Sequence, residues 1–278
     1  MLGFAYMSEA FGIWQLESLV AVGGLGEVWR ARRGSDSQIV ALKRLHTHLA
    51  RNEEGRGQFA LEQRLATELP RHPNVIHGSE AGDVEGRPYV ALELVAGADL
   101  RRIIAPPSSG NDVTPTKVLL PATRAIGIVT AACDAATHLH DHGWVHGDIN
   151  PGNLVVEPRA GDDHVVLIDL GVARAIGEAG SVRGTHAYMA PEQVRGEAWT
   201  RATDVFALGV VLWELLSGTR LFHRGPPWLS MAAVVEAPVP ALATRDFDAI
   251  VQAALVKDPA QRIASAAELA ERLRRVAR

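Results

Sequence analysis

The sequence is poor in three features, and each shortage excludes a class of protein. The single cysteine, Cys133, cannot form an internal disulfide, which favours a reducing compartment, and its Ala-rich apolar surroundings indicate a buried structural thiol. No stretch of about 18 residues is both apolar and free of charge, so no membrane span is predicted. The formal net charge is −4 and the Lys and Arg residues are scattered, so we expect no nucleic-acid partner.

The remaining composition is that of an ordinary globular chain. Apolar residues make up 47% and charged residues 22% of the 278 positions, which suits one large domain or two smaller lobes. Residues 1–14 include Glu9 and lack a basic segment, so a signal peptide is not expected. Together with the single cysteine, these features predict a cytoplasmic location.

The pattern along the chain changes near residue 97. Before this point, β-forming residues between turn residues predict four strands, at 12–20, 27–31, 38–43 and 88–94. One helix is predicted among them, at 57–69. Later, apolar residues at helical spacing predict helices at 125–142, 203–217 and 266–276, and short apolar stretches predict a hairpin at 154–156 and 165–168. A loop is predicted at 106–121. Strands first and helices later indicate an α+β fold in two lobes.

A glycine-rich segment precedes a lysine in the first part of the chain. Residues 19–29 read Leu-Val-Ala-Val-Gly-Gly-Leu-Gly-Glu-Val-Trp, and Gly23 and Gly26 would let backbone amides come close to phosphate oxygens. An ordinary hairpin turn is the alternative. Strand alternation places Lys43 on the same face as the small Ala41, against which a flat ring could pack. Glu62, in the middle of the predicted helix, is the expected partner of the Lys43 ammonium.

Three later motifs occur in the order found in one large family. Residues 146–153 read His-Gly-Asp-Ile-Asn-Pro-Gly-Asn, residues 168–171 read Ile-Asp-Leu-Gly, and residues 184–192 read Gly-Thr-His-Ala-Tyr-Met-Ala-Pro-Glu. With the glycine-rich segment, Lys43 and Glu62, they make the chain resemble the protein kinases over about residues 11–276. The wording of the motifs is most similar to that of bacterial eukaryotic-like Ser/Thr kinases.

The resemblance implies a two-lobed protein-kinase fold that binds ATP with Mg²⁺, or with Mn²⁺ as the alternative ion. It places a kinase domain at 11–278 after an extension at 1–10, with a β-rich N-lobe at 11–94, a hinge at 93–97 and a helical C-lobe at 98–278. The implied activity is phosphoryl transfer from ATP to Ser or Thr of protein substrates. Thr185, in the third motif, favours the Ser/Thr preference.

The resemblance also implies roles for individual residues. Asp148 would orient the acceptor hydroxyl, and Lys43, held by Glu62, would contact the α- and β-phosphates. Metal ligands would be Asn153 and Asp169. Leu92 would be the gatekeeper beside the base. The expected nucleotide-binding residues are Val20, Ala21, Gly23, Gly24, Gly26, Val28, Ala41, Lys43, Leu92, Glu93, Val95 and Leu154. Substrate docking is expected of Gly184 and Thr185, and structural roles of His146, Glu192, Asp204 and Arg262.

Four positions depart from the family pattern. Ala21 replaces the first glycine of the loop, and Leu170 replaces Phe in the metal-binding motif, and both changes are mild. Asn150, in the catalytic set, replaces the Lys that contacts the γ-phosphate, so a cation is missing there. Gly147 replaces the Arg that meets a phosphorylated activation segment. The alternative function is therefore a nucleotide-binding pseudokinase that acts as a scaffold or regulator of a protein partner.

Two further alternatives arise around the first of these motifs. His-Gly-Asp followed by Asn five residues beyond the Asp also resembles small-molecule kinases of the aminoglycoside and choline type. Those enzymes lack the Lys yet transfer phosphate, but they also lack the Ala-Pro-Glu segment that this chain has. A metal site is the other alternative, for the histidines His138, His140, His142 and His146. The resemblance instead implies that the first three end a helix and that His146 packs in the core.

Activity is expected not to require phosphorylation of the activation segment, because Gly147 removes the partner of such a phosphate. Segment 172–189 carries only three hydroxyl side chains, those of Ser181, Thr185 and Tyr188. The variant Ser181→Ala should therefore transfer phosphate at the unchanged rate in a radiolabelled ATP assay. A large loss of rate would refute the hypothesis.

Overall fold

The computed structural model describes residues 9–105, 119–160, 162–180, 182 and 184–277. The chain divides into two units. The first comprises residues 1–72, 76–95 and 169–171, and the second comprises residues 73–75, 96–168 and 172–278. Ser181 and most of the loop predicted at 106–121 lie outside the described residues. The lobe and hinge bounds proposed from the sequence remain a prediction.

A six-stranded antiparallel sheet and one helix make up the first unit. The strands are β1 (Glu9–Phe11), β2 (Trp14–Val22), β3 (Gly26–Arg33), β4 (Ile39–Leu45), β5 (Gly78–Val84) and β6 (Arg87–Leu92). Their order across the sheet is β1-β2-β3-β4-β6-β5. Helix α1 (Glu53–Glu68) begins after Asn52, whose side chain accepts a hydrogen bond from the amide of Gly55. The four strands and the helix predicted from the sequence are confirmed.

The two edge strands of this sheet, β1 and β5, were not predicted from the sequence. Strand β5 reads Gly-Ser-Glu-Ala-Gly-Asp-Val and has few β-forming residues, so its pairing with β6 rather than its own propensity makes it a strand. Strand β1 falls partly within the predicted extension at 1–10 and pairs with β2. The Arg44 guanidinium fixes β1 further, because it binds the Glu9 carboxylate and lies over the Phe11 ring.

The second unit is mainly helical. Its helices are α2 (Leu100–Ile104), α3 (Ala122–Asp141), α4 (Pro191–Val194), α5 (Arg201–Ser217), α6 (Pro227–Glu236), α7 (Arg245–Ala254) and α8 (Ala266–Val276). Its short strands are β7 (Ala98–Asp99), β8 (Trp144–Val145), β9 (Leu154–Glu157), β10 (His164–Leu167) and β11 (Arg174–Ala175). The predicted hairpin is confirmed as the antiparallel pair of β9 and β10, and the three predicted helices are confirmed as α3, α5 and α8.

Helix α5 is the central element of the second unit. Its residues from Ala202 to Leu215 are all buried, as expected of a helix that is apolar nearly all round. Gly218, with a φ of +67°, ends the helix in the left-handed conformation that glycine adopts without strain. Helix α3 packs against α5 and contains Cys133, which is fully buried. Burial raises the pKa of its thiol, so Cys133 remains a protonated core residue.

No helix in the described part of the chain is long and apolar enough to span a membrane.

Glu192 and Arg262 form a buried ion pair that joins α4 to the segment before α8. Both Arg262 Nη atoms donate to the carboxylate, at 2.7 and 2.9 Å, and Nη1 also donates to the carbonyl of Ala202. Thr203 Oγ1 donates to the same carboxylate. Because Glu192 is 1% and Arg262 4% exposed, neither charge has water as a substitute partner.

Removing one member of this pair should be far more costly than removing a surface pair. Arg262→Met leaves the Glu192 carboxylate buried and unpaired, so we expect a loss of about 3–5 kcal/mol in the free energy of unfolding, measured with urea. Arg274→Met is the matched control, because the pair of Arg274 with Asp134 is about half exposed and should contribute at most about 1 kcal/mol. Equal losses in the two variants would contradict the structural role of Arg262.

Candidate active site

Lys43, Glu62 and Asp169 form a charge cluster in the first unit. Lys43 Nζ donates to Glu62 Oε1 at 2.5 Å and to Asp169 Oδ1 at 2.8 Å. Strand β4 supplies the lysine and helix α1 supplies the glutamate. The structure thus brings together the two residues that the sequence pairs, and it adds the aspartate from a position 126 residues further along the chain.

Burial and charge act in opposite directions on this cluster. Burial disfavours the charged ammonium of Lys43, but the carboxylates of Asp169 and Glu62 outweigh this and raise its pKa above the ordinary value. Burial also raises the pKa of the Glu62 carboxyl, and the Asp169 charge adds to this effect while Lys43 opposes it. The lysine therefore remains a cation at neutral pH.

Asp169 differs from its two partners in exposure and in backbone conformation. Its side chain is 42% exposed, whereas those of Lys43 and Glu62 are 8% and 3% exposed. Its φ of +65° lies in the left-handed region, which a non-glycine residue adopts only when its surroundings hold it there. Gln58 of helix α1 contributes, because its Nε2 donates to the carbonyl of Gly171 at 2.7 Å.

The glycine-rich segment forms the turn between β2 and β3. The amide of Gly23 donates to the carbonyl of Gly26 at 2.8 Å, which closes the turn. Gly23 and Gly24 are exposed, and a Cβ on Gly24 would meet no atom within 4 Å. Gly26 is glycine for another reason, since a Cβ there would lie 2.2 Å from the Arg44 carbonyl oxygen. Only the exposed part of the turn is therefore open to a phosphate.

Several residues predicted to contact the base share one face of the sheet of the first unit. Ala21 pairs with Val28, Val28 with Lys43, and Ala41 with Leu92, so directly opposite side chains share a face. Val20 lies in the irregularity between Leu19 and Ala21. The amide of Glu93 donates to the carbonyl of His77, so the carbonyl of Glu93 is the group it could offer to a base. Val95 is the last residue of this part of the first unit, and Leu154 is fully buried in β9 of the second unit.

The Asp148 carboxylate of the second unit accepts hydrogen bonds from three N–H donors. Its Oδ1 accepts hydrogen bonds from Asn150 Nδ2 at 3.1 Å and from the amide of Thr185 at 2.9 Å. Its Oδ2 accepts one from Asn153 Nδ2 at 3.0 Å. Gly184 permits the approach of Thr185, because a Cβ at Gly184 would lie 2.9 Å from Asp148 Oδ1. Four residues predicted to act in the site thus surround one carboxylate.

The fully buried carboxylate of Asp204 in α5 supports the loop that carries Asp148. It accepts hydrogen bonds from the amides of His146 and Gly147 and contacts His140 Nε2 at 2.8 Å. Burial alone would raise the pKa of Asp204, but the hydrogen bond and charge of His140, with those of its other partners, hold the pKa below the ordinary value. Sequence analysis missed this role of His140, although its helical spacing in α3 fits an inward-facing position.

His146 is fully buried beneath the same loop. Its Nε2 lies 3.2 Å from the carbonyl of Ile168, and its Nδ1 accepts from the amide of Asp148 at 3.2 Å. A carbonyl can only accept, so these contacts assign the proton to Nε2. The ring therefore links the Asp148 loop to the end of β10, and the remaining two histidines, His138 and His142, contact each other at the end of α3.

Trp199 fills the space beside Gly147, where the family pattern has an arginine. A Cβ on Gly147 would lie 2.2 Å from Trp199 Cζ3, and one on Gly180 would lie 2.2 Å from Cζ2. The backbone of Trp199 donates to Glu178 and accepts from Gly177. The indole thus packs between the loop of Asp148 and the segment at 177–180. Sequence analysis missed Trp199, because nothing in its local pattern links it to two distant glycines.

The oxygen ligands predicted for a metal fit Mg²⁺ rather than a self-contained metal site. In the described ranges, no three His, Cys, Asp or Glu side chains are grouped so as to hold a metal by themselves. Mg²⁺ characteristically takes one or two carboxylates and completes its shell with phosphates and water. The exposed carboxylate of Asp169 suits such an ion. Asn153 uses its Nδ2 atom on Asp148, so Oδ1 is the atom with which it could contribute.

Comparison with known proteins gives a consistent picture. A protein kinase domain family model matches residues 14–273. The serine/threonine-protein kinase PknJ of Mycobacterium tuberculosis is 31% identical over 276 residues, which are 94% of this chain and 45% of that protein. The kinase pkn3 of Myxococcus xanthus is 33% identical, covering 91% of this chain and 48% of that protein. The kinase PknB of Mycolicibacterium smegmatis is 34% identical, covering 95% and 43%.

These matches identify the class of protein that the fold and the charged clusters define. The chain belongs to the protein kinase family, and its relatives are bacterial Ser/Thr kinases. The α+β kinase fold and the family resemblance predicted from the sequence are confirmed. The chain spans less than half the length of the curated relatives it matches.

The packing of Trp199 predicts that the family arginine cannot be restored at position 147. Gly147 has a φ of +75°, so Gly147→Arg adds backbone strain of about 1–3 kcal/mol to a steric clash of about 1–3 kcal/mol. Gly143→Arg is the matched control, because Gly143 has a φ of +85° but nothing within 4 Å of a Cβ. In urea unfolding, Gly147→Arg should lose clearly more stability than Gly143→Arg. Equal losses would contradict the packing of the indole against this loop.

Proposed function

We propose that the protein transfers the γ-phosphoryl group of ATP to Ser or Thr hydroxyls of proteins, with Mg²⁺ as the metal ion and Mn²⁺ as the alternative. The observation that carries the proposal is the Asp148 carboxylate, held by three N–H donors in a chain of the kinase family. Phosphoryl transfer depends mainly on alignment and charge neutralisation, and a carboxylate fixed in this way meets the first requirement.

The first unit would bind the nucleotide. The Lys43 ammonium, fixed by Glu62, would neutralise the α- and β-phosphates. The open turn at Gly23 and Gly24 would cover the phosphates, with the Gly24 amide as the donor because the Gly23 amide closes the turn. The face formed by Ala21, Val28, Ala41 and Leu92, with Val20 beside it, would pack on the base. The carbonyl of Glu93 and the backbone of Val95 would meet the base edge, and Leu154 of the second unit would contribute a further apolar contact.

Asp148 would act on the acceptor. The hydroxyl oxygen forms a bond to the γ-phosphorus, the bond from that phosphorus to the bridging β–γ oxygen breaks, and ADP leaves. The hydroxyl proton passes to Asp148. Asp169 and Asn153 would hold Mg²⁺, which when bound neutralises phosphate charge. Gly184 and Thr185 would dock the acceptor segment, as in Ser/Thr-directed members.

Other features of the proposal rest on the sequence and the family. The kinase domain is proposed to extend over 11–278, with its hinge at 93–97. The acceptor is proposed to be a protein, because the relatives are named as serine/threonine-protein kinases. A cytoplasmic location, inferred from the single cysteine, stays a prediction.

A pseudokinase is the second candidate, and a specific contact favours it. Asn150 has no charge, and both hydrogen bonds that its Nδ2 is found to donate go to Asp148. If no other cation serves the reaction, the chain would bind nucleotide and act as a scaffold or regulator of a protein partner.

Radiolabelled γ-phosphate transfer separates the two candidates. The wild-type chain, with Mg²⁺ or Mn²⁺ and a protein acceptor, should exceed Asp148→Asn by at least about a hundredfold, the scale of a lost proton acceptor. Asp141→Asn is the matched control, because Asp141 is 60% exposed and should leave the rate unchanged. Label should appear on Ser or Thr of the acceptor. Equal counts for wild type and Asp148→Asn would leave only the binding role.

A further inference from the structure

Arg101 brings a positive charge to the position where the family lysine is missing. It is an exposed residue of α2, whose start is fixed by the fully buried Leu100 and by Asp99, which accepts a hydrogen bond from the Arg102 amide. The Nη2 atom of Arg101 donates to Asn150 Oδ1 at 3.1 Å. A guanidinium that is permanently charged thus lies on the residue that replaces the lysine.

Asn150 joins this guanidinium to the candidate catalytic carboxylate. Its Oδ1 accepts from Arg101 and, at 2.9 Å, from the amide of Gly152. Its Nδ2 donates to the carbonyl and to Oδ1 of Asp148, at 3.0 and 3.1 Å. The amide is polarised in the sense that strengthens both bonds, because a cation withdraws electrons from its oxygen and an anion accepts from its nitrogen.

Gly152 provides the space that the guanidinium needs. A Cβ at Gly152 would lie 3.2 Å from Arg101 Nη2 and 3.0 Å from Asn150 Oδ1. Gly152 is not among the glycines with a positive φ, so its backbone does not demand glycine. A Cβ at this position would therefore crowd both Arg101 and Asn150.

We propose that Arg101 is a positioning residue for phosphoryl transfer, which supplies through Asn150 the positive charge that the family lysine would supply. This inference rests on the proposed function. Arg101 does not itself touch the reacting atoms in this account. It holds the Asn150 amide, and the amide holds Asp148 Oδ1 in the orientation that receives the acceptor proton.

The test compares Arg101→Met with Arg102→Met in the wild-type chain. Arg102 is the neighbouring arginine, 70% exposed and paired with Asp99, so its loss removes the same charge from the same helix. Arg101→Met should lower kcat roughly tenfold to a hundredfold, the scale of a misplaced catalytic group, with KM for ATP unchanged. Arg102→Met should leave both constants unchanged. Equal kcat values in the two variants would overturn the inference.

Rescue variants distinguish supply of charge from simple packing. Arg101→Lys should retain most of the rate, and Asn150→Lys placed in the Arg101→Met background should restore part of it, since the family lysine then supplies the cation. Gly152→Ala should lower kcat in the same direction as Arg101→Met, because it crowds the guanidinium. If neither lysine variant recovers activity, Arg101 does not act through its charge and the proposal is wrong.

A measurement that needs no activity separates this inference from the proposed function. The NMR signals of the Asn150 side-chain amide are assigned by their loss in Asn150→Asp. These signals should shift in Arg101→Met and stay in place in Arg102→Met. An unshifted signal in Arg101→Met would overturn the link. If wild type transfers no more phosphate than Asp148→Asn, the proposed function fails, and the Arg101 link is then judged by the amide signals alone.

Discussion

The buried ammonium of Lys43 is the constraint on which the first unit depends. A lysine whose side chain is 8% exposed is tolerated only if anionic partners compensate for lost hydration, and Glu62 and Asp169 provide them. The pairing with Glu62 ties helix α1 to strand β4, and the pairing with Asp169 ties in a residue with a left-handed backbone conformation. One cation thus links a helix and a segment with a strained residue to the same strand.

In the second unit, the buried carboxylate of Asp204 holds the loop of Asp148 in place. The Asp204 carboxylate accepts hydrogen bonds from two backbone amides of that loop and contacts the ring of His140. Asp204 lies in helix α5, which is buried along most of its length. Trp199 packs against Gly147 where the family has a phosphate-binding arginine. At the two positions where the family pattern has a cation, this chain has Gly147 packed against an indole and Asn150 bound by the Arg101 guanidinium.

Sequence patterns predicted most of the fold and the pairing of Lys43 with Glu62. Helix α8, with its apolar stripe and Ser265 cap, has the predicted bounds, and Glu62 meets Lys43 as its place in an apolar helix suggested. The patterns failed where the partner is distant in sequence or where pairing overrides propensity. Strand β5 forms only because β6 offers hydrogen bonds. Arg101 is linked to the candidate site only through its hydrogen bond to Asn150, which is 49 residues away in the sequence.

Calorimetric titration with Mg²⁺ and ATP tests the central claim, that a fixed buried cation binds nucleotide phosphates. Wild type should bind with measurable heat, and Lys43→Met should weaken the affinity at least about tenfold, or about 1.4 kcal/mol, while circular dichroism shows an intact fold. Lys257→Met is the matched control, because Lys257 is a part-buried lysine of the second unit that donates to the Val234 carbonyl. The Lys257→Met variant should bind the nucleotide with the same affinity as wild type. Identical affinities for wild type and Lys43→Met would contradict the account.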